Sequence, residues 1–255
     1  MSQNFGDWFN QLGPVTRASL VAAVGLSAAS SLNLISVSKL ILTSEAITSL
    51  QVWRFVTAAF FLGNFSFQWL MTIAMFVTYV KNNEEYDFKD KPADLVYMFL
   101  VVIAALSAVG LYFNLYVTSF SFLMALCWIF CKRHPEQRLE LFGFAFRSAV
   151  FPWALMALHF VMGGGLLADI LGVVAGHAYI FFKDVLPLTH QQRWLETPAW
   201  LLRRFPQATT RITSFGAEVH PYDPRFQTGR RNDAPQGGSS GGSHTWGHGR
   251  ALGSN

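Results

Sequence analysis

Charged residues are scarce in this 255-residue sequence: Asp, Glu, Lys and Arg make up 13% of it, against 52% for hydrophobic residues. The apolar runs are too many and too continuous for one soluble core of this length, so we expect most of the chain to lie in a bilayer. The N-terminus also lacks the basic region and small-residue cleavage site of a secretory signal peptide, and we expect its first apolar segment to be retained.

Cysteine is also rare, since Cys127 and Cys131 are the two in the chain. They lie one helical turn apart, where helix geometry disfavours a disulfide. A histidine nearby, His134, does not complete a metal site. The sequence therefore predicts no metal and no cofactor, and nothing in it suggests nucleic-acid binding.

Windows between charges give six candidate transmembrane segments. They are Ala18 to Ile35, Phe65 to Val80, Leu95 to Phe113, Leu115 to Cys131, Ala149 to Met162 and Leu166 to Phe182. The second reaches about 24 Å at roughly 1.5 Å per residue, less than the roughly 30 Å of a hydrocarbon core. Because short spans thin the bilayer or admit water, we predict local membrane thinning, unless the helices extend past their first polar residues.

Lysine and arginine are distributed unevenly between these segments. The long first loop carries only Lys39 and Arg54, whereas basic residues follow the second, fourth and sixth segments. The positive-inside rule therefore places both termini in the cytosol. Four regions result: an N-terminal segment with an interfacial helix at 1–17, a membrane domain at 18–187, a basic amphipathic juxtamembrane segment at 188–221, and a Gly/Ser-rich tail, expected to be disordered, at 222–255.

The first loop, residues 37–64, contains apolar residues at positions i, i+3, i+4, i+7 and i+8, the spacing of one helical face. They are Val52, Phe55, Val56, Ala59 and Phe60. The pattern predicts a helix in the membrane surface, preceded by Gln51. Trp53 suits the headgroup level, and the Arg54 guanidinium can fork onto phosphates or loop carbonyls. Two interpretations stay open: an anchor for the loop, and a platform that meets luminal substrate.

The sixth segment has small and polar residues in an otherwise apolar run. Gly172 and Gly176 share one helical face, which predicts close packing against another helix. Asp169 and His177 are expected to face the bundle or water. Asp169 could also lie at the luminal end, and His177 could be a packing residue.

An aromatic and apolar peptide ends the glycine-rich tail. Its distinctive residues are Trp246, Gly247, Gly249, Arg250, Leu252 and Gly253. A tail without a core of its own usually carries such residues for a partner, although a solvated linker can contain them by chance. The peptide resembles the SHP box, the motif with which adaptor proteins bind the AAA+ ATPase valosin-containing protein.

Several short motifs resemble the derlin family, in the right order over about residues 11–189. They are 14–17 (PVTR), 51–54 (QVWR), 84–88 (EEYDF), and 172–179 (GVVAGHAY) through 184–187 (DVLP). Derlins are rhomboid-like pseudoproteases of the endoplasmic reticulum, implicated in exporting misfolded proteins for degradation. The resemblance implies an all-α bundle of six rhomboid-like transmembrane helices, with the family's shared motifs at Trp53, Arg54, Gly172 and Gly176.

The same resemblance implies several partners. They are misfolded proteins of the endoplasmic reticulum, the lipid bilayer, the AAA+ ATPase valosin-containing protein, a membrane RING ubiquitin ligase complex, and further copies of the chain in a homo-oligomer. The family's presumed substrate entry is a lateral opening between spans two and five, which the sequence alone does not locate.

Catalysis is the question that a rhomboid-like fold raises. Rhomboid proteases place a serine in a Gly-x-Ser-Gly motif at the start of span four and a histidine on span six, where His177 lies here. Span four contains Ser119 and Ser121 between bulky residues and has no such motif. We therefore predict that the chain is not an enzyme. The alternatives are an intramembrane serine protease and a passive anchor for the ATPase.

Overall fold

The computed structural model describes residues 5–43, 49, 51–141, 143–187 and 195–205, which are mostly helical. The α-helices are α1 (Phe5–Gln11), α2 (Pro14–Ser31), α3 (Trp53–Phe60), α4 (Phe67–Asn82), α5 (Pro92–Tyr112), α6 (Ser119–Arg133), α7 (Phe151–Val161), α8 (Leu166–Ile180) and α9 (Ala199–Arg204). Short 3₁₀ and π turns occupy Val37–Lys39, Asn83–Asp87 and Phe181–Val185.

Each of the six predicted spans falls on a helix, namely α2 and α4 to α8. Among the described residues, two helical stretches combine the length and apolar character needed to cross a bilayer, Pro92–Tyr112 and Leu166–Val185. Helix α7 is apolar but shorter. The helical class agrees with the prediction, and the count of six crossings stays a prediction.

Helix α6 forms the centre of the bundle. Its side chains from Phe122 to Cys131 are all buried, as expected for a helix that is apolar on every side. Phe122 meets the edge of Phe99 on α5 at 5.1 Å and lies 5.8 Å from Phe60 on α3. Helices α3, α4, α5, α7 and α8 all pack on α6, so it joins every part of the core.

A buried carboxylate fixes the start of α2. Glu84, in the turn after α4, accepts hydrogen bonds from the backbone N–H groups of Val15 and Thr16 at 2.9 and 2.7 Å, and from the Thr16 hydroxyl at 2.6 Å. A negative charge is favourable at a helix N-terminus, where the first N–H groups lack helical partners. We call this side of the bundle the Arg133 end, and the opposite side, which carries α3, the Arg54 end.

A β-hairpin connects α6 and α7, a feature that the sequence analysis did not predict. Strands β1 (Arg138–Leu141) and β2 (Phe144–Arg147) are antiparallel, with Leu139 opposite Phe146. Gly143 in the turn has a φ of +83°, a conformation that glycine adopts without strain. Alternating apolar residues on both sides of this glycine were the available sequence signal.

Helices α1 and α9 lie in the N-terminal and juxtamembrane segments, where the sequence predicts surface helices. In α9, Leu201 is buried and Trp200 is exposed. The predicted ATPase-binding peptide, with Trp246, Gly247, Gly249, Arg250, Leu252 and Gly253, lies outside the described residues.

Candidate functional site

The two side chains of the Trp-Arg pair on helix α3 have opposite environments, one buried and one exposed. Arg54 is 8% exposed, and its Nη1 donates to the Thr43 hydroxyl at 2.8 Å. Trp53 is 58% exposed. Gln51 precedes the helix and accepts a hydrogen bond from the Arg54 backbone N–H at 3.1 Å. The arginine therefore holds the loop together, while the indole is exposed.

The predicted apolar face of α3 is only partly the buried face. Val52 and Val56 are exposed, whereas Ala59 and Phe60 are buried together with Arg54. The helix is turned because polar groups anchor it: the Thr57 hydroxyl donates to the Leu40 carbonyl at 3.0 Å, and the Thr118 N–H donates to the Ala58 carbonyl at 3.2 Å. The apolar face is thus divided between the bundle and the exterior, and the location of α3 in the membrane surface stays a prediction.

The two glycines of α8 both face α6. A Cβ at Gly172 would collide with the carbonyl oxygen of Ser121, and one at Gly176 would lie 2.9 Å from the carbonyl oxygen of Ala125. The absence of side chains at both positions lets the two backbones come into contact. These helices form the most extensive helix pair of the fold, the α6–α8 pair.

A buried contact between a histidine and an aspartate joins α7 to α8. His159 Nδ1 lies 2.7 and 2.9 Å from the carboxylate oxygens of Asp169, which is fully buried in the first turn of α8. The imidazole also stacks on the Phe120 ring of α6, with centroids 4.0 Å apart and planes 13° apart. Gly164 packs so closely on the imidazole that a Cβ there would overlap it.

An apolar groove lies between α4 and α7, with α6 as its floor. One cavity of about 30 Å³, room for about one water molecule, is bordered by His159 and Asp169. A second, of about 170 Å³, continues from it along α4 and lies between α4 and strand β1 of the hairpin, beside Glu140 and Leu141. Met71 and Met75 line both cavities. We call these two cavities together the α4–α7 groove.

Methionine is abundant in the wall of this groove. Met71, Met75, Met124 and Met162 line it, and they come from α4, from α6 and from the turn after α7. Their unbranched, polarisable side chains adapt to different apolar surfaces. The wall of the groove is therefore adaptable, although its narrow end has room for about one water molecule in this structure.

The serines of span four are engaged differently from a protease nucleophile. The Ser121 hydroxyl donates to the Ala168 carbonyl at 2.7 Å, and Ser119 is fully buried. His177 is exposed and lies beside Trp128, two helical turns further along α6 than Ser121. Asp169, and no histidine of α8, lies at the level of these serines.

Charged side chains join three elements at the Arg133 end. Arg133 forms an ion pair with Asp184 at 2.9 Å and another with Asp87 at 3.5 Å, and Asp87 also contacts His134 at 2.9 Å. Burial alone would lower the pKa of Arg133, but the two carboxylates outweigh it and raise the pKa. The turn after α4 and the end of α8 are thus linked through α6.

Sequence analysis missed the role of His159 and of Glu84. His159 is the one polar side chain between Phe151 and Val161, and this was the signal that could have singled it out. Its partner Asp169 lies ten residues away across three consecutive glycines, a turn whose path the sequence does not specify. Glu84 was recognised only as part of a family motif.

Together, the fold and the site define a helical membrane protein with a polar loop helix, a glycine-packed core pair and a lateral apolar groove. Residues 12–199 match the model of the Der1-like family, and the chain belongs to that family. It is 28% identical to human Derlin-1 over 256 residues, covering 98% of each chain. It is 30% identical to Derlin-2.1 of Arabidopsis thaliana over 241 residues, covering 89% of this chain and 96% of the relative.

Proposed function

We propose that the chain is a component of the endoplasmic reticulum membrane that assists the retrotranslocation of misfolded proteins to the cytosol. Its bundle would cross the bilayer six times, with the Arg133 end and both termini in the cytosol. Family membership supports the general role. The observation that carries the mechanism is the α4–α7 groove, because it would become a lateral entrance for an apolar segment, beside buried polar groups, once α7 moves aside.

The groove would lower the free-energy cost of moving a segment with both apolar and polar side chains across the bilayer, in two ways. Its methionines accept apolar side chains of different shapes. Its narrow end holds His159 and Asp169, which can interact with polar groups or a water molecule where lipid would offer none. Short helices such as α7 thin the bilayer nearby and shorten the path.

The α3 loop would meet the substrate on the luminal side. Arg54 fixes the loop through Thr43, and the exposed Trp53 lies where a headgroup or an unfolded segment can contact it. The energy would come from the AAA+ ATPase valosin-containing protein, bound by Trp246 to Gly253. A membrane RING ubiquitin ligase complex and further copies of the chain complete the proposed assembly.

Two other functions are less well supported. A serine protease would need an accessible hydroxyl near a base, but the Ser121 hydroxyl donates to a backbone carbonyl and the unpaired Ser119 hydroxyl is fully buried. His177 lies at another level. A literal Gly-x-Ser-Gly occurs at 238–241, in the glycine-rich tail and outside the described residues. A passive ATPase anchor would leave the groove and the α3 loop without a role.

The loop is tested by comparing Arg54→Lys with Arg54→Ala in cells that lack the endogenous copy. Lys39→Ala, an exposed substitution in the same loop, is the matched control. Turnover of a misfolded luminal substrate should fall similarly in both Arg54 variants, because a point charge does not replace the guanidinium. Normal turnover in both variants at normal expression would contradict the proposed role of the loop.

The tail is tested in the same cells by Trp246→Ala combined with Leu252→Ala. The ATPase should no longer co-purify with the chain, whereas Ser243→Ala combined with Thr245→Ala should retain it. Undiminished ATPase recovery would refute the SHP assignment. If Arg54→Ala blocks turnover while ATPase binding persists, the chain is more than an anchor.

A further inference from the structure

A second apolar opening lies on another side of the bundle, between α2 and α5. Its volume is about 650 Å³, and its wall runs from Pro14 to Leu26 on α2 and from Val96 to Ile103 on α5. Val56 and Phe60 of α3 border it at the Arg54 end, and Phe205 borders it at the Arg133 end. We call this opening the α2–α5 cleft.

The wall of the cleft is almost entirely apolar and reaches about half-way through a bilayer. From Pro14 to Leu26, twelve residue steps of roughly 1.5 Å each cover about 18 Å. One leaflet of a roughly 30 Å hydrocarbon core is about 15 Å thick. The cleft therefore matches the length that one acyl chain occupies in its leaflet.

Basic residues stand at one end of this cleft. Arg203 and Arg204 are exposed and directly precede Phe205. Trp200, on the same helix, is 63% exposed, while Leu201 is buried. An indole and two guanidinium groups beside an apolar opening are the combination that suits the headgroup level of an anionic lipid.

We propose that the α2–α5 cleft is a binding site for an anionic glycerophospholipid. One acyl chain lies between α2 and α5, and the phosphate and headgroup lie at Arg203 and Arg204. The positive charge favours this lipid over a second copy of the chain or an uncharged apolar segment. The site is separate from the α4–α7 groove, and its occupation depends on neither substrate nor ATPase.

Glycine 25 provides a direct way to close the cleft. It lines the opening, and a Cβ at this position would meet no atom within 4 Å. Gly25→Leu therefore places a side chain into the acyl site with no clash at its Cβ and no left-handed backbone position. Gly6→Leu is the matched control, because Gly6 is also unobstructed but lies on α1, outside the wall of the cleft.

The experiment is native mass spectrometry of the full-length protein after delipidation in mild detergent and titration with phosphatidylserine or phosphatidylcholine of the same acyl chains. Each arginine near an anionic lipid strengthens binding about fivefold, so the wild-type protein should prefer phosphatidylserine about 25-fold. Arg203→Gln combined with Arg204→Gln should abolish this preference, whereas Arg138→Gln, an exposed arginine of the hairpin, should keep it.

Gly25→Leu should weaken binding of both lipids at least tenfold, with Gly6→Leu unchanged. Three results would overturn the proposal. Equal binding by Gly25→Leu would exclude the cleft, and an unchanged preference in the double arginine variant would exclude the headgroup contact. A change in oligomeric mass without a change in lipid binding would assign the cleft to a second copy of the chain.

Discussion

Helices α7 and α8 are neighbours in sequence, yet different interactions hold them to α6. Helix α8 packs backbone to backbone through Gly172 and Gly176, where even one added methyl group is too large. Helix α7 packs on α6 through buried apolar side chains such as Leu155 and through the edge-to-face pair of Trp153 with Trp128. At the far end of α7, His159 stacks on Phe120 of α6 and contacts Asp169 of α8. The α6–α8 interface is backbone to backbone, whereas the far end of α7 depends on a few polar and aromatic contacts.

This difference has a consequence for the α4–α7 groove. Helix α4 and the α6–α8 pair form two of its sides, and α7 forms the third. Three consecutive glycines, 163 to 165, connect α7 to α8, and Gly163 has a φ of +85°. Loss of the His159–Asp169 contact would let the far end of α7 move away on this connection and widen the groove without disturbing the α6–α8 pair.

Removing one partner of the His159–Asp169 contact should have the largest effect on stability. His159→Leu leaves the fully buried Asp169 carboxylate without its partner, which costs about 3–5 kcal/mol. The midpoint of thermal unfolding in detergent should fall markedly. His159→Leu combined with Asp169→Leu should recover much of the loss, because the buried charge is then absent; failure to recover would show that the pair is not the source of the effect.

Added side chains between the helices of the α6–α8 pair should have the next largest effect on stability. Gly172→Ala forces a methyl group against the Ser121 carbonyl and should cost about 1–3 kcal/mol. Gly176→Ala should cost less, since its contact of 2.9 Å requires a smaller shift. Gly165→Ala, in open space before the same helix, is the control. Equal unfolding temperatures for all three variants would refute close packing.

Stiffening the glycine connection should have a smaller effect. Gly163→Ala meets no neighbouring atom, so its cost of about 1–2 kcal/mol comes from the left-handed backbone alone. The same substitution at Gly6, which is equally open and has no positive φ, should not destabilise the protein. Unchanged thermal stability of Gly163→Ala would show that the connection does not hold this conformation.

Removing the stacked ring should have the smallest effect. Phe120→Leu keeps an apolar side chain beside His159 but loses the ring stack, a loss of about 0.5–1.5 kcal/mol. A double-mutant cycle with His159→Leu measures this contribution, because the stack is absent from either single variant. A coupling energy near zero would mean that the stack adds nothing beyond apolar burial.

Helix positions and the packing glycines were predictable from sequence because apolar periodicity and small-residue spacing are local signals. The six apolar segments fall on α2 and α4 to α8 for this reason. The Glu84 contacts with Val15 and Thr16 were not predictable, because they join residues 68 and 69 positions apart. The orientation of α3 was also missed, since the contacts of Arg54 and Thr57 with the preceding loop override the apolar pattern.

The central claim is that α7 can detach separately from a fixed α6–α8 pair. Hydrogen–deuterium exchange of the full-length protein in lipid nanodiscs, compared between residues 151–161 and 172–180, tests it most directly. Exchange should be faster in α7 than in α8, and His159→Leu should accelerate exchange in α7 at least tenfold while α8 stays unchanged. Equal acceleration in both helices, or in neither, would contradict the account.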